Sequence, residues 1–197
     1  TIPTTPTPMA SSAPLRMLVT PKKKVPAEKA VAEKEKVPAA RPPAPPTPTG
    51  PVAVSVSPDH GSGVSQNFTF RYTDPKGAAD IAVAEIDFHQ EGRDCAIFVS
   101  PDDGLVQLQF YPDRGPQFRV SGSIGTLTRV ENSVCSVDLS GVAAERKGDD
   151  LEVRLAVTFK PGFEGRLEIR SWPWDKTQRQ RGESHVGASW SAGAAPM

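Results

Sequence analysis

The chain has 197 residues, with 23 Lys or Arg balanced by 23 Asp or Glu, 37% hydrophobic residues, 21 prolines and two cysteines. No run approaches the roughly 18 apolar residues of a membrane-crossing helix, and no apolar stretch follows a basic start as it does in a signal peptide. The balanced charge hides a split: residues 1–50 carry eight Lys or Arg against three Glu, while the remainder carries 15 against 20, an acidic surplus that argues against a nucleic-acid surface.

Residues 1–50 hold twelve of the prolines and none of the thirteen aromatics. Such a segment has too little apolar surface to offset its ordering entropy. It is expected to be a disordered Pro/Thr/Lys-rich linker, with a Thr/Pro/Ala tract over 1–21 and a polyproline II stretch from Arg41 to Pro48. The linker's basic residues are interrupted by Pro, Ala and Glu, with no aromatics among them for stacking, so it is read as solvated rather than as a nucleic-acid arm. Because the chain begins at Thr1, it is read as processed or as part of something longer. One domain is expected over 51–192, followed by a short tail over 193–197.

From residue 51 the pattern changes to the period-2 alternation of half-buried strands. Val52, Val54 and Val56 alternate with Ala53, Ser55 and Ser57, and Pro58 to Gly63 reads as a turn. Phe68, Phe70 and Tyr72 share the next face, and Asp74-Pro-Lys-Gly77 carries turn chemistry. Ile81 and Val83 open a strand whose later apolar residues, Ala84, Ile86 and Phe88, have the other parity, which predicts a β-bulge near Ala84. Cys95, Ile97 and Val99 follow, then Val106, Leu108 and Phe110, then Phe118 and Val120, with a turn at Pro112–Gly115. Cys135, Val137 and Leu139 form another strand, and Leu151 to Phe159 is the clearest of all, apolar at every odd position. Leu167 and Ile169 make the last well-patterned strand, with a further one near Val186 to Trp190. Short strands, frequent turns and no sustained 3.6-residue period predict an all-β chain: an antiparallel sandwich or barrel.

Cys95 and Cys135 both fall on the inward parity of their strands. In a secreted β-sandwich the simplest reading is a buried disulfide, which would stabilise the fold by about 4 kcal/mol on chain-entropy grounds. Two buried free thiols are the alternative, and a redox pair, which prefers C-x-x-C proximity, is a third.

Several motifs taken together resemble a known module. Ser57-Pro58, Gly61-Ser-Gly63, Phe68-Thr-Phe-Arg-Tyr-Thr-Asp-Pro-Lys-Gly77, Cys95, Asn132-Ser-Val-Cys135 and Leu155 to Gly165 are similar to an Ig-like or fibronectin-like repeat domain of large extracellular bacterial proteins of the acidobacterial kind. The resemblance spans roughly residues 52–170. It implies an immunoglobulin-like antiparallel sandwich with the cysteine pair bridged, used as a module beside other domains, and no enzyme activity. The chain departs from that pattern after Leu167, where Trp172-Pro-Trp-Asp175 and a basic stretch to Arg181 stand.

Few residues suggest chemistry. His60, His89 and His185 lie far apart and offer no metal-ligand spacing, so no metal and no cofactor is expected. Ser123 lacks the context of a nucleophile elbow, and Asp102-Asp103 reads as a solvated turn. Asp74 and Asp80 are too few oxygens for a calcium loop, and a structural turn is preferred. Trp172 and Trp174, at i and i+2 of a strand and accompanied by Arg170, Lys176, Arg179 and Arg181, share a face and suggest a flat platform for a sugar or a cation; the alternative has one Trp on the core and Pro173 bending an edge strand. The expected role is a non-catalytic extracellular module, acting as spacer, adhesion or protein-interaction domain, secreted, at a bacterial cell surface or in the periplasm. A carbohydrate-binding module serving a secreted hydrolase is the second reading, and a lone enzyme the weakest. The partner is thus an unknown protein or polysaccharide.

Overall fold

Alternation of this kind buries one face of each strand and forces two sheets together. The computed structural model describes residues 49–110, 118–177, 181–182 and 184–193. The predicted linker up to residue 48, the Pro112–Gly115 turn, Arg179 and the last four residues lie outside the described residues. Among the described residues there are twelve strands: β1 (Val52–Ser57), β2 (His60–Ser62), β3 (Ser65–Thr73), β4 (Ile81–Gln90), β5 (Arg93–Ser100), β6 (Leu105–Phe110), β7 (Phe118–Ser123), β8 (Arg129–Glu131), β9 (Cys135–Lys147), β10 (Asp150–Phe159), β11 (Gly165–Asp175) and β12 (His185–Ala192). They form a five-stranded sheet in the order β1-β3-β10-β9-β8 and a seven-stranded sheet in the order β2-β12-β11-β4-β5-β6-β7. Every neighbouring pair is antiparallel except β2 with β12. The expected all-β sandwich is what the chain forms.

The inward residues of the two sheets make one core. Phe68, Phe70 and Tyr72 of β3 and Leu151, Val153, Leu155 and Val157 of β10 face Ile86 and Phe88 of β4, Ile97 of β5 and Leu167 and Ile169 of β11. Aromatic rings run through its middle, with Phe88 5.0 Å from Phe68 and 5.1 Å from Phe159, and Trp190 of β12 edge-on to Phe68 at 5.3 Å. A polar contact also crosses the core: Ser171 Oγ donates to the Tyr72 hydroxyl at 2.7 Å. The Cys95–Cys135 disulfide is formed, with Cα atoms 5.9 Å apart, and ties β5 of the larger sheet to β9 of the smaller.

Three local expectations change. The bulge in β4 falls at Ala82 rather than near Ala84, because the β11 register steps from Trp174↔Val83 to Asp175↔Ile81. Ile81 and Ala84 are therefore both buried, and Val83 turns to the outer face. The segment read as a Pro58–Gly63 turn contains β2, which adds to the edge of the larger sheet beside β12. Finally, Pro173 does not bend an edge strand. It lies buried within β11, which continues unbroken to Asp175 and pairs with β4 throughout that segment. The Pro173 carbonyl accepts from Gly182 N–H at 2.8 Å, so its ring nitrogen faces that same side and not the β4 ladder. No β4 hydrogen bond is lost.

Candidate functional site

The outer faces of the two sheets differ in chemistry. On the five-stranded sheet the outward positions of β3 and β10 include Asn67, Thr69, Arg71, Glu152, Arg154, Ala156 and Thr158, a mostly polar, solvated surface with ion pairs such as Arg71–Asp150 at 3.3 Å. On the seven-stranded sheet the outward positions of β4, β5 and β11 bring together Val83, Phe98, Trp172 and Trp174 with charged neighbours. Each of these four is partly covered.

Trp172 and Trp174 do share a face, as their i, i+2 spacing predicts; both point outward while Ser171, Pro173 and Asp175 point inward. Neither Trp packs on the core. Their surroundings are not those of an open platform. Arg181 lies over the Trp172 ring, its guanidinium carbon 3.8 Å from the centroid, and 5.7 Å from that of Trp174. Glu85, directly across from Trp172 on β4, accepts from Trp174 Nε1 at 2.7 Å and from Arg181 Nη2 at 2.8 Å. One carboxylate thus fixes both an indole edge and the cation that caps the pair. On the far side, Arg119 stacks on Phe98 at 3.7 Å, and a shallow hollow opens between Val83, Phe98, Arg119 and Trp174.

Toward the opposite end of β4 the same face becomes polar. Asp87 and His89 alternate outward along β4, and Asp94 of β5 sits opposite His89 in the ladder. His89 Nδ1 and Asp94 Oδ1 are 2.5 Å apart, and Asp87, His89 and Asp94 each offer a donor atom within 4.8 Å of the others. Asp87 is 9% exposed, and its Oδ1 has no hydrogen-bond partner among the described residues. Burial, and then the neighbouring Asp94 charge, push its carboxyl up to about 7, against the smaller pull of His89 and Arg170. Arg170, opposite Asp87 on β11, donates to Glu168 at 2.6 Å, which lowers the Glu168 carboxyl and raises the guanidinium. A polar hollow of about 490 Å3, lined by Arg93, Asn132, Pro161 and Gly162, also takes in Asp94.

No family model, no curated protein and no solved structure matches this chain. The surface itself therefore carries the functional reading.

The remaining residues singled out in the sequence lie elsewhere. Cys95 and Cys135 are wholly buried in the bridge. Asp74 serves its turn, where its Oδ1 accepts from Lys76 N–H at 2.8 Å, while Asp80 faces Lys76 Nζ at 3.6 Å. Asp102 pairs with Arg146 at 2.7 Å, and His60 pairs with Asp59 at an exposed corner. The Asp87–His89–Asp94 group was not among the sequence-derived candidates, because His and Cys spacing alone does not reveal it. Its signal is Glu91-Gly92, a two-residue hairpin turn with Gly92 at φ 76°, which sets Asp94 opposite His89.

Proposed function

We propose that the chain is a non-catalytic, immunoglobulin-like interaction module of a larger extracellular bacterial protein, and that it binds a protein partner through the outer face of its seven-stranded sheet. The observation that carries this reading is the contrast between the two outer faces. Exposed sheet surfaces are ordinarily polar, as the five-stranded one is here, and half-buried Trp, Phe and Arg are the residue types enriched where proteins meet. The disulfide between the sheets fits an oxidising compartment, and among the described residues no helix is long and apolar enough to cross a membrane. The motif resemblance to Ig-like repeat domains points the same way.

The carbohydrate-binding reading has the side-by-side indoles in its favour. Against it stands Arg181, which occupies the ring face a sugar would stack on. Both readings meet one experiment. The immobilised chain and its Trp172→Ala/Trp174→Ala variant are offered extracellular and envelope proteins, and separately insoluble polysaccharides. A protein held by the wild type and weakened at least about 30-fold by the double change, as loss of a binding hot spot predicts, supports the proposal. Polysaccharide retention lost in the same variant moves the role to carbohydrate binding. Identical behaviour of the two chains overturns the assignment of this face.

A further inference from the structure

We infer that Asp87, His89 and Asp94 form a binding site for one divalent transition-metal ion, with Zn2+ as the reference occupant, at the hairpin end of the same face. The site stands or falls independently of any partner bound by the tryptophan end.

Backbone geometry supplies the donor arrangement. Two residues apart on β4, Asp87 and His89 project together, and the β4–β5 register adds Asp94 beside His89. The three donor atoms lie within 4.8 Å of one another. Ligands held about 2.0 Å from a tetrahedral ion stand roughly 3.3 Å apart. The His89–Asp94 pair, now at 2.5 Å, need open by less than about 1 Å to admit one. The tight Glu91-Gly92 turn holds the two strands in that register, so little ordering is left for binding to impose.

A second observation is independent of the spacing. Asp87 is more than nine-tenths buried, yet its Oδ1 has no hydrogen-bond partner among the described residues. Buried carboxylates are normally paired, hydrogen-bonded or coordinated to a metal. Arg170, opposite Asp87 on β11, is engaged by Glu168 at 2.6 Å.

The donor chemistry narrows the choice of metal. One imidazole with two carboxylates suits Zn2+, and also Mn2+, Fe2+ or Co2+; Ca2+ asks for six or more oxygens, and Mg2+ prefers its own water shell. Three protein ligands leave a fourth position for water or for a group brought by another molecule.

The test uses the full chain after chelator stripping, titrated with ZnCl2 and followed by calorimetry and thermal melting. The expected result is one ion per chain, with Tm raised by roughly 5–10 °C when Zn2+ exceeds its Kd about 100-fold, and Ca2+ at least about 100-fold weaker. Asp87→Asn, which preserves size, and His89→Gln each lose at least about tenfold in affinity, whereas His60→Gln at its exposed corner does not. Absence of a Zn2+-dependent shift overturns the site. So does a shift that persists undiminished in both the Asp87→Asn and His89→Gln chains, since the ion is then held elsewhere.

Discussion

A carboxyl group held near neutrality by burial works against its own fold once it ionises, and Asp87 is such a group. Its pKa is raised from 3.8 to about 7 in the folded chain, first by burial and then by the charge of Asp94. Below about pH 3 the group is protonated in both folded and unfolded states and contributes no difference. As pH rises from there, the unfolded chain ionises while the folded chain keeps its proton, so stability falls until the pH passes the folded value. Above pH 7 the full cost applies, on the order of 4 kcal/mol for a shift of this size. Asp87→Asn removes the titration and leaves the shape. In chelator-containing buffer the variant is therefore expected to match the wild type near pH 3 and to exceed it in stability by a few kcal/mol at pH 8. Denaturant unfolding across that range checks it, and a constant difference between the two chains would contradict the buried-carboxylate account. A stabilising substitution that also lowers metal affinity would mark Asp87 as a residue whose chemistry opposes its packing.

Among the elements, legibility followed the length of each strand and the sign of its alternation. β10, apolar at every odd position from Leu151 to Phe159, and β3, with Phe68, Phe70 and Tyr72, state their inward faces in the sequence itself. β2 does not: His60-Gly-Ser62 has no apolar residue to report, and it becomes a strand because β12 offers it an edge. The continuation of β11 through Trp172-Pro-Trp174 was obscured by Pro173, whose missing N–H matters only on the side facing β4, the side it does not point to. The tryptophan pair was legible from its i, i+2 spacing; Asp87 and His89 share that spacing on β4 but were not singled out, because nothing local marks the strand that completes their group. Arg181 was named beside the pair from the sequence, but Glu85 and Asp94 were not, because each arrives from a neighbouring strand whose register the local pattern leaves open. The β2–β12 pairing also makes a prediction of its own. Gly61 has φ 151°, and a Cβ at that position would stand 2.4 Å from Cζ3 of Trp190. That indole has nowhere to retreat: it is 4% exposed, edge-on to Phe68, and its Nε1 donates to Gly63 O at 2.9 Å. Gly61→Ala is expected to lower stability by about 1–3 kcal/mol, the usual penalty for forcing an extra methyl against a packed ring. Chemical denaturation reads the loss, and no loss would mean that β2 detaches freely from the sheet edge.

For the whole molecule, the two sheets are joined by two kinds of link of unequal strength. The packed core and the Tyr72–Ser171 hydrogen bond resist separation only while the sheets are already together. The Cys95–Cys135 bond, by contrast, acts on the unfolded chain, closing a loop across 40 residues of sequence separation. On chain-entropy grounds that closure contributes about 4 kcal/mol. For a domain of this size about 2–4 °C of Tm accompanies each kcal/mol, so reduction should lower Tm by roughly 8–16 °C. The strands of both sheets pair without help from the sulfurs, so the reduced chain is expected to remain β-rich at 25 °C. Cys95→Ala/Cys135→Ala should reproduce the reduced value, apart from the small cavities the lost sulfurs leave. Melting curves with and without reductant, read by circular dichroism, provide the comparison. A reduced chain that melts with the oxidised one would show the sheets held by their core alone, whereas one already unfolded at 25 °C would show the core insufficient without the bridge. The face that carries Trp172, Trp174 and the Asp87 cluster includes β5, the strand anchored by Cys95. Loosening the bridge is therefore expected to disturb the Asp94–His89 register before the tryptophan pair on β11, so Zn2+ affinity should fall on reduction at temperatures where the sandwich is still folded.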